Sequence, residues 1–247
     1  EIDVVDEQEQ LPKQGDRLQL TIDADVQKAA EDGFTATGFN GAAVVLDPRN
    51  GEVLAFTSRP AYDPNAFAGG IDRATWNSLV TDELKPLQNR ALQGTYSPGS
   101  TFKMAVGLAG LEEGVITPDF HVFCGGGQTF YGRYFKCWKK GGHGSVDLRH
   151  AIEQSCDVFF YTVGNMLGVD RINKWATLFG LGVKSGIDLP NEVSGLVLST
   201  AWKAEHTKEK KWYAGETISV AIGQGQVSVT PISLAVYTAT LANGGTR

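Results

Sequence analysis

The hairpin pattern in residues 41–58, GAAVVLDPRNGEVLAFTS, is the sequence feature that most constrains the fold. Two apolar, β-prone runs, residues 42–46 and 52–57, flank the turn-forming sequence Asp-Pro-Arg-Asn-Gly. Runs of this kind around a short turn are typical of an antiparallel β-hairpin. Because the rest of the chain has mostly helical patterns, the early hairpin predicts an α+β architecture rather than alternating strands and helices.

Helix start and stop signals occur on both sides of this hairpin. Asp23 is a good N-cap for a helix over residues 24–34, and residues 18–23 alternate like a strand. Further helices are predicted at residues 101–113, at 148–167 with an interruption near 154–157, at 171–182 ending at Gly180 and Gly182, and within 230–245 with Pro231 in the first turn.

Composition excludes several classes of function. The net charge is −6 over 247 residues, and the one basic run, residues 203–211, contains two glutamates, so no nucleic-acid partner is predicted. No stretch approaches the roughly 18 to 20 apolar residues of a membrane span. Residues 223–225, Gly-Gln-Gly, lack the rest of a phosphate-loop pattern, so no organic cofactor is predicted.

The segment YSPGSTFKM, residues 96–104, carries the strongest chemical signal. Pro98 and Gly99 predict a turn, with Ser100 as the N-cap of the helix that follows. Ser100 and Lys103 then share one helix face. A serine hydroxyl needs a nearby base to act as a nucleophile, and a lysine one turn away can supply it, which favours acyl transfer. A capping serine beside a surface lysine is the alternative.

The context of these two residues resembles the active-site signature of the penicillin-binding protein transpeptidases. The resemblance rests on NRALQGTYSPGSTFKM at residues 89–104, together with LTIDADVQKAAE, GAAVVLDPRNGEVLAF and ISVAIGQGQVSVTPISLA elsewhere in the chain. It implies an α+β penicillin-binding protein transpeptidase or serine β-lactamase-like fold, with an antiparallel sheet flanked by helices and a mostly helical subdomain.

A second motif is similar to that of the class B members that act in cell elongation. The stretch QSCDVFFYTVGNMLG contains Ser155-Cys156-Asp157 where the family has Ser-x-Asn. Ser155 can pass a proton between Lys103 and a leaving amine, and Asp157 can either hold the lysine as a cation or position the substrate. Ser155 and Asp157 as simple caps of a helix that begins at Val158 are the alternative.

The third family motif, Lys-Thr-Gly, does not occur in the sequence. The resemblance places it well after the Gly-Gln-Gly segment, so the motif and the C-terminal strands that carry it are expected beyond Arg247. In the family, the oxyanion hole combines the N–H of the nucleophile, here Ser100, with an N–H beyond Lys-Thr-Gly.

Three cysteines and one histidine form a candidate metal site. Cys124, Cys137, His143 and Cys156 offer the ligand set of a closed structural zinc site, although their spacing is not that of paired Cys-x-x-Cys ligands. A Cys124–Cys137 disulfide is the alternative. The family resemblance also implies zinc near the active site. The fallback ligands are Asp119, His121 and Asp147.

The resemblance implies a peptidoglycan D,D-transpeptidase, with Ser100 as nucleophile and Lys103 as general base. Residues 18–247 would form the transpeptidase domain, incomplete at its C-terminus, and residues 1–17 a linker or the tail of an upstream pedestal domain. A serine β-lactamase or β-lactam sensor domain, and a catalytically inactive scaffold of the same fold, are alternative functions.

The predicted partners follow from the same resemblance. They are peptidoglycan stem peptides, β-lactam antibiotics, a SEDS-type glycosyltransferase and other elongation-complex proteins. The expected location is the periplasmic face of the bacterial inner membrane, with an N-terminal anchor outside this chain. Four aromatic residues are candidates for lining a peptide cleft, with packing as the alternative: Tyr96, Trp138, Trp212 and Tyr213.

Overall fold

The predicted hairpin is confirmed in a computed structural model that describes residues 15–247. Strand β1 (Gly41–Leu46) pairs antiparallel with β2 (Val53–Arg59). Helix α1 (Ala24–Thr37) precedes them and packs on β2. Asp23 is the N-cap of α1, as predicted, and its carboxylate accepts hydrogen bonds from the first turn. Residues 1–14, most of the predicted linker, lie outside the described residues.

The predicted strand at residues 18–23 is wrong. This segment meets β2 through the Thr21 hydroxyl, which donates to the Val53 carbonyl at 2.7 Å, and the Asp23 N–H, which donates to the Leu54 carbonyl at 2.9 Å. Leu18 stays 84% exposed. Alternation of apolar and polar residues predicts a strand only where the apolar face is buried. In the described structure no element covers the side of this segment that carries Leu18.

The rest of the described chain is mostly helical. Its helices are α2 (Asn65–Ala68), α3 (Arg73–Thr81), α4 (Arg90–Gln93), a 3₁₀ helix (Gly99–Phe102), α5 (Lys103–Glu112), α6 (Leu148–Glu153), α7 (Asp157–Leu167), α8 (Val169–Leu178), α9 (Thr200–His206), α10 (Ala214–Val220) and α11 (Pro231–Ala242). None of the helices in residues 15–247 is long and apolar enough to cross a membrane.

Two more antiparallel strand pairs lie between α5 and α6. Strands β3 (Val122–Cys124) and β6 (Gly144–Val146) pair with each other, and β4 (Gly127–Phe130) pairs with β5 (Arg133–Lys136). The described part of the chain therefore combines three two-stranded antiparallel sheets with helices. This arrangement confirms the predicted α+β class.

The predicted helices agree with the structure, with one correction at Ser100. Helices α6 and α7 are separated by a break at Gln154–Cys156, and α11 begins at Pro231. Ser100 is not an N-cap. The 3₁₀ turn begins at Gly99, so Ser100 lies inside it. An N-cap residue needs a non-helical backbone, and its side chain must reach the N–H groups two or three residues ahead.

The main core forms where α5, α7, α8 and α10 pack together. Phe102, Val106, Phe159 and Phe160 are fully buried in it. Gly164 of α7 lies where α10 ends, and a Cβ at this position would lie 2.2 Å from the Cβ of Ala221. The glycine therefore permits a close approach that no larger residue allows without movement of one helix.

Replacing Gly164 with Ala is expected to lower the melting temperature by several degrees, because overpacking of this kind typically costs about 1–3 kcal/mol. The matched control is Gly33→Ala in α1, where no atom lies within 4 Å of the new Cβ. That change is expected to raise stability slightly, because alanine is the better helix former. Equal shifts for both variants in a thermal denaturation experiment would contradict the packing interpretation.

Candidate active site

Ser100 is presented by a tight turn that a second glycine turn supports. Gly99 has a φ of +56° and donates its N–H to the Gly223 carbonyl at 3.0 Å. A Cβ at Gly223, which has a φ of +67°, would lie 2.4 Å from the Gly99 carbonyl oxygen. Both positions favour glycine because their φ angles are positive, and at Gly223 a side chain would also clash with the Gly99 carbonyl. The Gly-Gln-Gly segment thus holds the turn that carries Ser100.

Lys103 is the first residue of α5, and its side chain is only 2% exposed. Its ammonium donates three hydrogen bonds: to the Ser155 carbonyl at 3.0 Å, to the Ser155 Oγ at 2.9 Å and to Asp157 Oδ1 at 2.6 Å. Three acceptors match the three donors of an ammonium group. The alternative in which Lys103 is a surface lysine is therefore wrong, because its ammonium is buried and fully hydrogen-bonded.

Ser155 connects Lys103 to Ser100. Its hydroxyl donates to the Ser100 Oγ at 3.0 Å while accepting from Lys103. Within the described structure no direct hydrogen bond joins Lys103 to Ser100, so the base predicted for Ser100 reaches it through the Ser155 hydroxyl. Ser155 has a φ of +54°, an uncommon value for a residue with a side chain. That conformation separates α6 from α7.

Asp157 begins α7 and holds two groups at once. Its Oδ1 accepts from Lys103, and its Oδ2 accepts from the Trp138 backbone N–H at 3.0 Å. The N-cap of α7 is Cys156, which makes no side-chain capping bond. The alternative in which Ser155 and Asp157 only cap a helix is therefore wrong, because the side chains of both contact Lys103 instead.

Trp138 is a site residue to which the sequence pattern assigned no catalytic role. Its indole N–H donates to the carbonyls of Gln154 at 3.1 Å and Ser155 at 3.0 Å, and its ring remains 64% exposed. Together with its backbone N–H, Trp138 therefore fixes Ser155 and Asp157 from outside α7. From the sequence, Trp138 was only one of four aromatic candidates for lining a peptide cleft, because a linear pattern does not show its contacts with Ser155 and Asp157.

The four predicted metal ligands meet behind the α6–α7 break. The ligand atoms of Cys124, Cys137, His143 and Cys156 all lie within 4.8 Å of one another, and the three cysteines are buried free thiols. Within residues 15–247 this cluster contains none of the fallback ligands. Asp147 instead caps α6 and contacts His150 at 2.7 Å.

The geometry of the cluster fits a tetrahedral zinc site. The His143 Nδ1 lies 3.6 Å from both the Cys124 Sγ and the Cys137 Sγ. Zinc–ligand bonds of about 2.3 Å to sulfur and about 2.0–2.1 Å to nitrogen separate such ligand atoms by about 3.6 Å. The donor types and these two nitrogen–sulfur distances therefore match a zinc site.

Burial and backbone contacts set the protonation of the cluster. Burial lowers the pKa of His143, so its imidazole is neutral at pH 7. Burial raises the pKa of the Cys156 thiol to about 12. Burial also acts to raise the pKa of Cys124, but hydrogen bonds from the backbone N–H groups of Gly126 and His143 and from the neighbouring thiols bring it below its ordinary value. A cation would stabilise the thiolates further.

Comparison with known proteins identifies relatives across most of the chain. Residues 41–247 match the family model of the penicillin binding protein transpeptidase domain. The peptidoglycan D,D-transpeptidase MrdA of Acinetobacter baumannii is 42% identical over 240 residues, which make up 96% of this chain and 35% of that protein. The chain therefore spans about a third of the length of this curated relative.

Solved structures of penicillin-binding protein 2 (PBP2) share the fold. Pseudomonas aeruginosa PBP2 in complex with WCK 5153 has a TM-score of 0.85 and 43% identity, covering 91% of this chain and 51% of that one. The complex between PBP2 and MreC from Helicobacter pylori gives a TM-score of 0.87, 39% identity and coverages of 92% and 42%. These comparisons confirm the resemblance inferred from the motifs around Ser100 and Ser155.

Replacing Asp157 with Asn is expected to destabilise the protein by about 3–5 kcal/mol, because the buried Lys103 ammonium loses its counter-charge. The double variant Lys103→Met with Asp157→Asn removes both charges and should recover much of that loss. Urea denaturation of the single and double variants measures the coupling. The control Asp32→Asn breaks the exposed Lys28–Asp32 pair and should change stability far less. An Asp157→Asn variant as stable as the wild type would contradict this account.

Proposed function

Because the chain belongs to the penicillin-binding protein transpeptidase family, we propose that it carries the acyl-transfer site of a peptidoglycan D,D-transpeptidase. The observation that supports this most strongly is the hydrogen-bonded series Ser100–Ser155–Lys103. It supplies a nucleophile and a proton acceptor joined by a hydroxyl that can relay a proton. The substrate would be a stem peptide that ends in D-Ala-D-Ala.

In the first step, Ser100 attacks the carbonyl carbon between the two D-alanines. This step requires Lys103 as a neutral amine, after loss of one ammonium proton to solvent, and the Ser155 hydroxyl turned to donate to Lys103 instead of to Ser100. The Ser100 proton then moves to the Ser155 oxygen as the Ser155 proton moves to Lys103. The Ser100 N–H lies in the first turn of the 3₁₀ helix, where N–H groups have no acceptor within the helix, so it can stabilise the oxyanion.

In the second step, the bond to the terminal D-alanine breaks and Ser100 remains as an ester. The proton on Lys103 returns through Ser155 to the nitrogen of the departing D-alanine. An amine from a neighbouring stem peptide then attacks the ester and forms the cross-link. The relay accepts the amine proton and returns it to the Ser100 oxygen as the ester bond breaks, which regenerates the serine. Asp157 stabilises Lys103 whenever it is an ammonium, and Trp138 keeps Ser155 and Asp157 in place.

β-Lactams would acylate the same serine, because their strained amide presents a carbonyl where the D-Ala-D-Ala carbonyl would lie. A long-lived ester would separate this function from a serine β-lactamase, which hydrolyses its ester rapidly. Cross-linking of stem peptides would separate it from a sensor domain, which only reports the ester. An inactive scaffold would form no ester. The buried, fully bonded Lys103 argues against a scaffold, since a buried charge is costly to keep without a use.

The cysteine cluster is proposed to hold a structural zinc ion through Cys124, Cys137, His143 and Cys156. Zinc would stabilise the thiolates and cross-link the segment from Cys124 to His143 to Cys156. Cys156 lies between Ser155 and Asp157 in the chain, so fixing its sulfur also fixes the backbone of both neighbours. The metal would therefore support the relay without contacting the substrate.

The remaining assignments concern the whole protein. We place the transpeptidase domain at residues 18–247 and a linker from an upstream pedestal domain at residues 1–17. On the family resemblance we also propose a place in the cell-elongation machinery at the outer face of the inner membrane, with a SEDS-type glycosyltransferase as a partner. The Helicobacter pylori PBP2–MreC complex supports a partner of the MreC type as well.

A penicillin is expected to add covalently to Ser100 in the full-length protein, giving one adduct per chain by intact mass and a modified peptide that contains Ser100. Ser100→Ala should give no adduct. Ser155→Ala should slow acylation by about 10²-fold or more, since it interrupts the relay.

The matched control is Ser145→Ala, an exposed β6 serine outside the relay, which should react at the wild-type rate. An adduct that disappears within seconds would favour a β-lactamase. No adduct under any condition would favour the scaffold.

The full-length protein is expected to contain about one zinc per chain by elemental analysis, and a strong chelator should lower its melting temperature, because metal binding contributes to folding. Cys124→Ser should lose the metal, whereas His121→Gln, at a fallback position outside the cluster, should keep it. Less than about 0.2 zinc per chain in carefully purified wild-type protein would contradict a structural metal.

A further inference from the structure

A second cavity lies beside the turn that supports Ser100. It has a volume of about 540 Å³, and the lining residues that carry the inference are Arg133, Lys203, Glu209, Tyr213, Glu216 and Gly225. Gly225 belongs to the same turn as Gly223, whose carbonyl holds the Gly99 N–H. The cavity therefore adjoins the glycine turn that supports the turn carrying Ser100.

One cation in this cavity is already neutralised by the protein. The Lys203 ammonium donates to both carboxylate oxygens of Glu216, at 2.6 and 2.8 Å, and its side chain is 12% exposed. It also lies 5.4 Å from the ring centroids of both Trp212 and Tyr213. Lys203 and Glu216 thus neutralise each other, and the lysine contributes little net charge for binding a ligand.

Arg133 is the cation that remains available. Within residues 15–247 its guanidinium makes no ion pair and no side-chain hydrogen bond, and its one cation–π contact is with the Phe135 ring, at 5.2 Å. Arg133 begins β5, whose pairing with β4 fixes its backbone. A guanidinium that lines a cavity with all five donors free is suited to a planar, two-oxygen acceptor.

The remaining charges around the cavity favour an anion. The Glu209 carboxylate accepts a hydrogen bond from the Tyr213 hydroxyl at 2.6 Å, which spreads part of its charge. Lys211 lies 5.5 Å above the ring of the same tyrosine. Because Lys203 and Glu216 neutralise each other, the remaining charges are the cations Arg133 and Lys211, the latter outside the lining, and the carboxylate Glu209. The local balance is therefore positive.

We propose that this cavity binds a carboxylate of the stem peptide that is distinct from its terminal D-Ala carboxylate, with Arg133 as the bidentate contact. The inference rests on the proposed function and adds a specificity residue to it. A charge-assisted, bidentate pair of this kind is expected to change the rate or affinity roughly tenfold to a hundredfold. The carboxylate could belong to the donor peptide or to the acceptor peptide.

The test uses two D-Ala-D-Ala peptides that differ only in an internal side chain, carboxylate in one and carboxamide in the other. The release of D-alanine by the full-length protein without acceptor measures acylation. Transfer to acceptor amines that carry the same pair of side chains measures the second step. The carboxylate form is expected to react at least about tenfold faster in one of these steps, and that step identifies the source.

Arg133→Gln should reduce this preference to near unity, and Arg133→Lys should keep only part of it, because an ammonium lacks the planar fork. The matched control is Arg149→Gln on α6, an exposed arginine that does not line this cavity, which should retain the full preference. Added salt should weaken the preference in the wild type.

Two negative results have different meanings. Equal rates for carboxylate and carboxamide in both steps, in a protein that penicillin still acylates at Ser100, would overturn the Arg133 site and leave the transpeptidase intact. The same holds if the preference survives Arg133→Gln. Failure of both peptides and penicillin to acylate the wild type would overturn the proposed function itself.

Discussion

The buried ammonium of Lys103 is the interaction on which the rest of the site depends. A lysine that is 2% exposed requires an acceptor for each of its donors, and all three come from the two residues Ser155 and Asp157. These residues lie more than 50 positions away in the chain and flank the start of α7. The need to satisfy one charge therefore fixes α5 against α7 and brings the Ser155 hydroxyl to Ser100.

That arrangement needs support from outside the two helices. Ser155 adopts a φ of +54°, and the Trp138 indole holds its carbonyl while the Trp138 backbone holds Asp157. Cys137, the neighbour of Trp138, belongs to the same cluster as Cys156. The cysteine cluster and the residues of the proton relay therefore share one backbone segment. Disrupting the cluster is expected to move Ser155 and Asp157 and so to change the geometry around Ser100.

The turn at Gly223 supplies the opposite support. It accepts the Gly99 N–H and leaves no room for a side chain, so the 3₁₀ helix that bears Ser100 is held from both sides. The adjoining cavity contains Lys203, which is paired with Glu216, and Arg133, which has no ion pair within residues 15–247. A rigid nucleophile beside a charged recess is an arrangement in which binding energy from a remote part of a substrate can orient the reacting bond.

The sequence by itself determined the local elements and the chemical inventory. The hairpin, the α6–α7 break, the Asp23 cap and the Pro231 start follow from turn and capping preferences, which act over a few residues. The residues at 100, 103, 155 and 157 were also evident, because they lie in short motifs that resemble those of a known family. The four candidate metal ligands were evident from their side-chain chemistry and from the same resemblance. Only tertiary structure decided how these groups meet.

Residues 18–23 are not a strand because their apolar side chains, such as Leu18, are not buried. A local sequence pattern does not show whether a side chain is buried. Ser100 is not a cap because the turn begins one residue earlier, where Gly99 packs against Gly223 from more than 100 residues away. Likewise, the indirect path from Lys103 to Ser100 and the contacts of Trp138 with Ser155 and Asp157 join distant segments. Such contacts are set by packing and charge burial in three dimensions, and neither is encoded in the spacing of neighbouring residues.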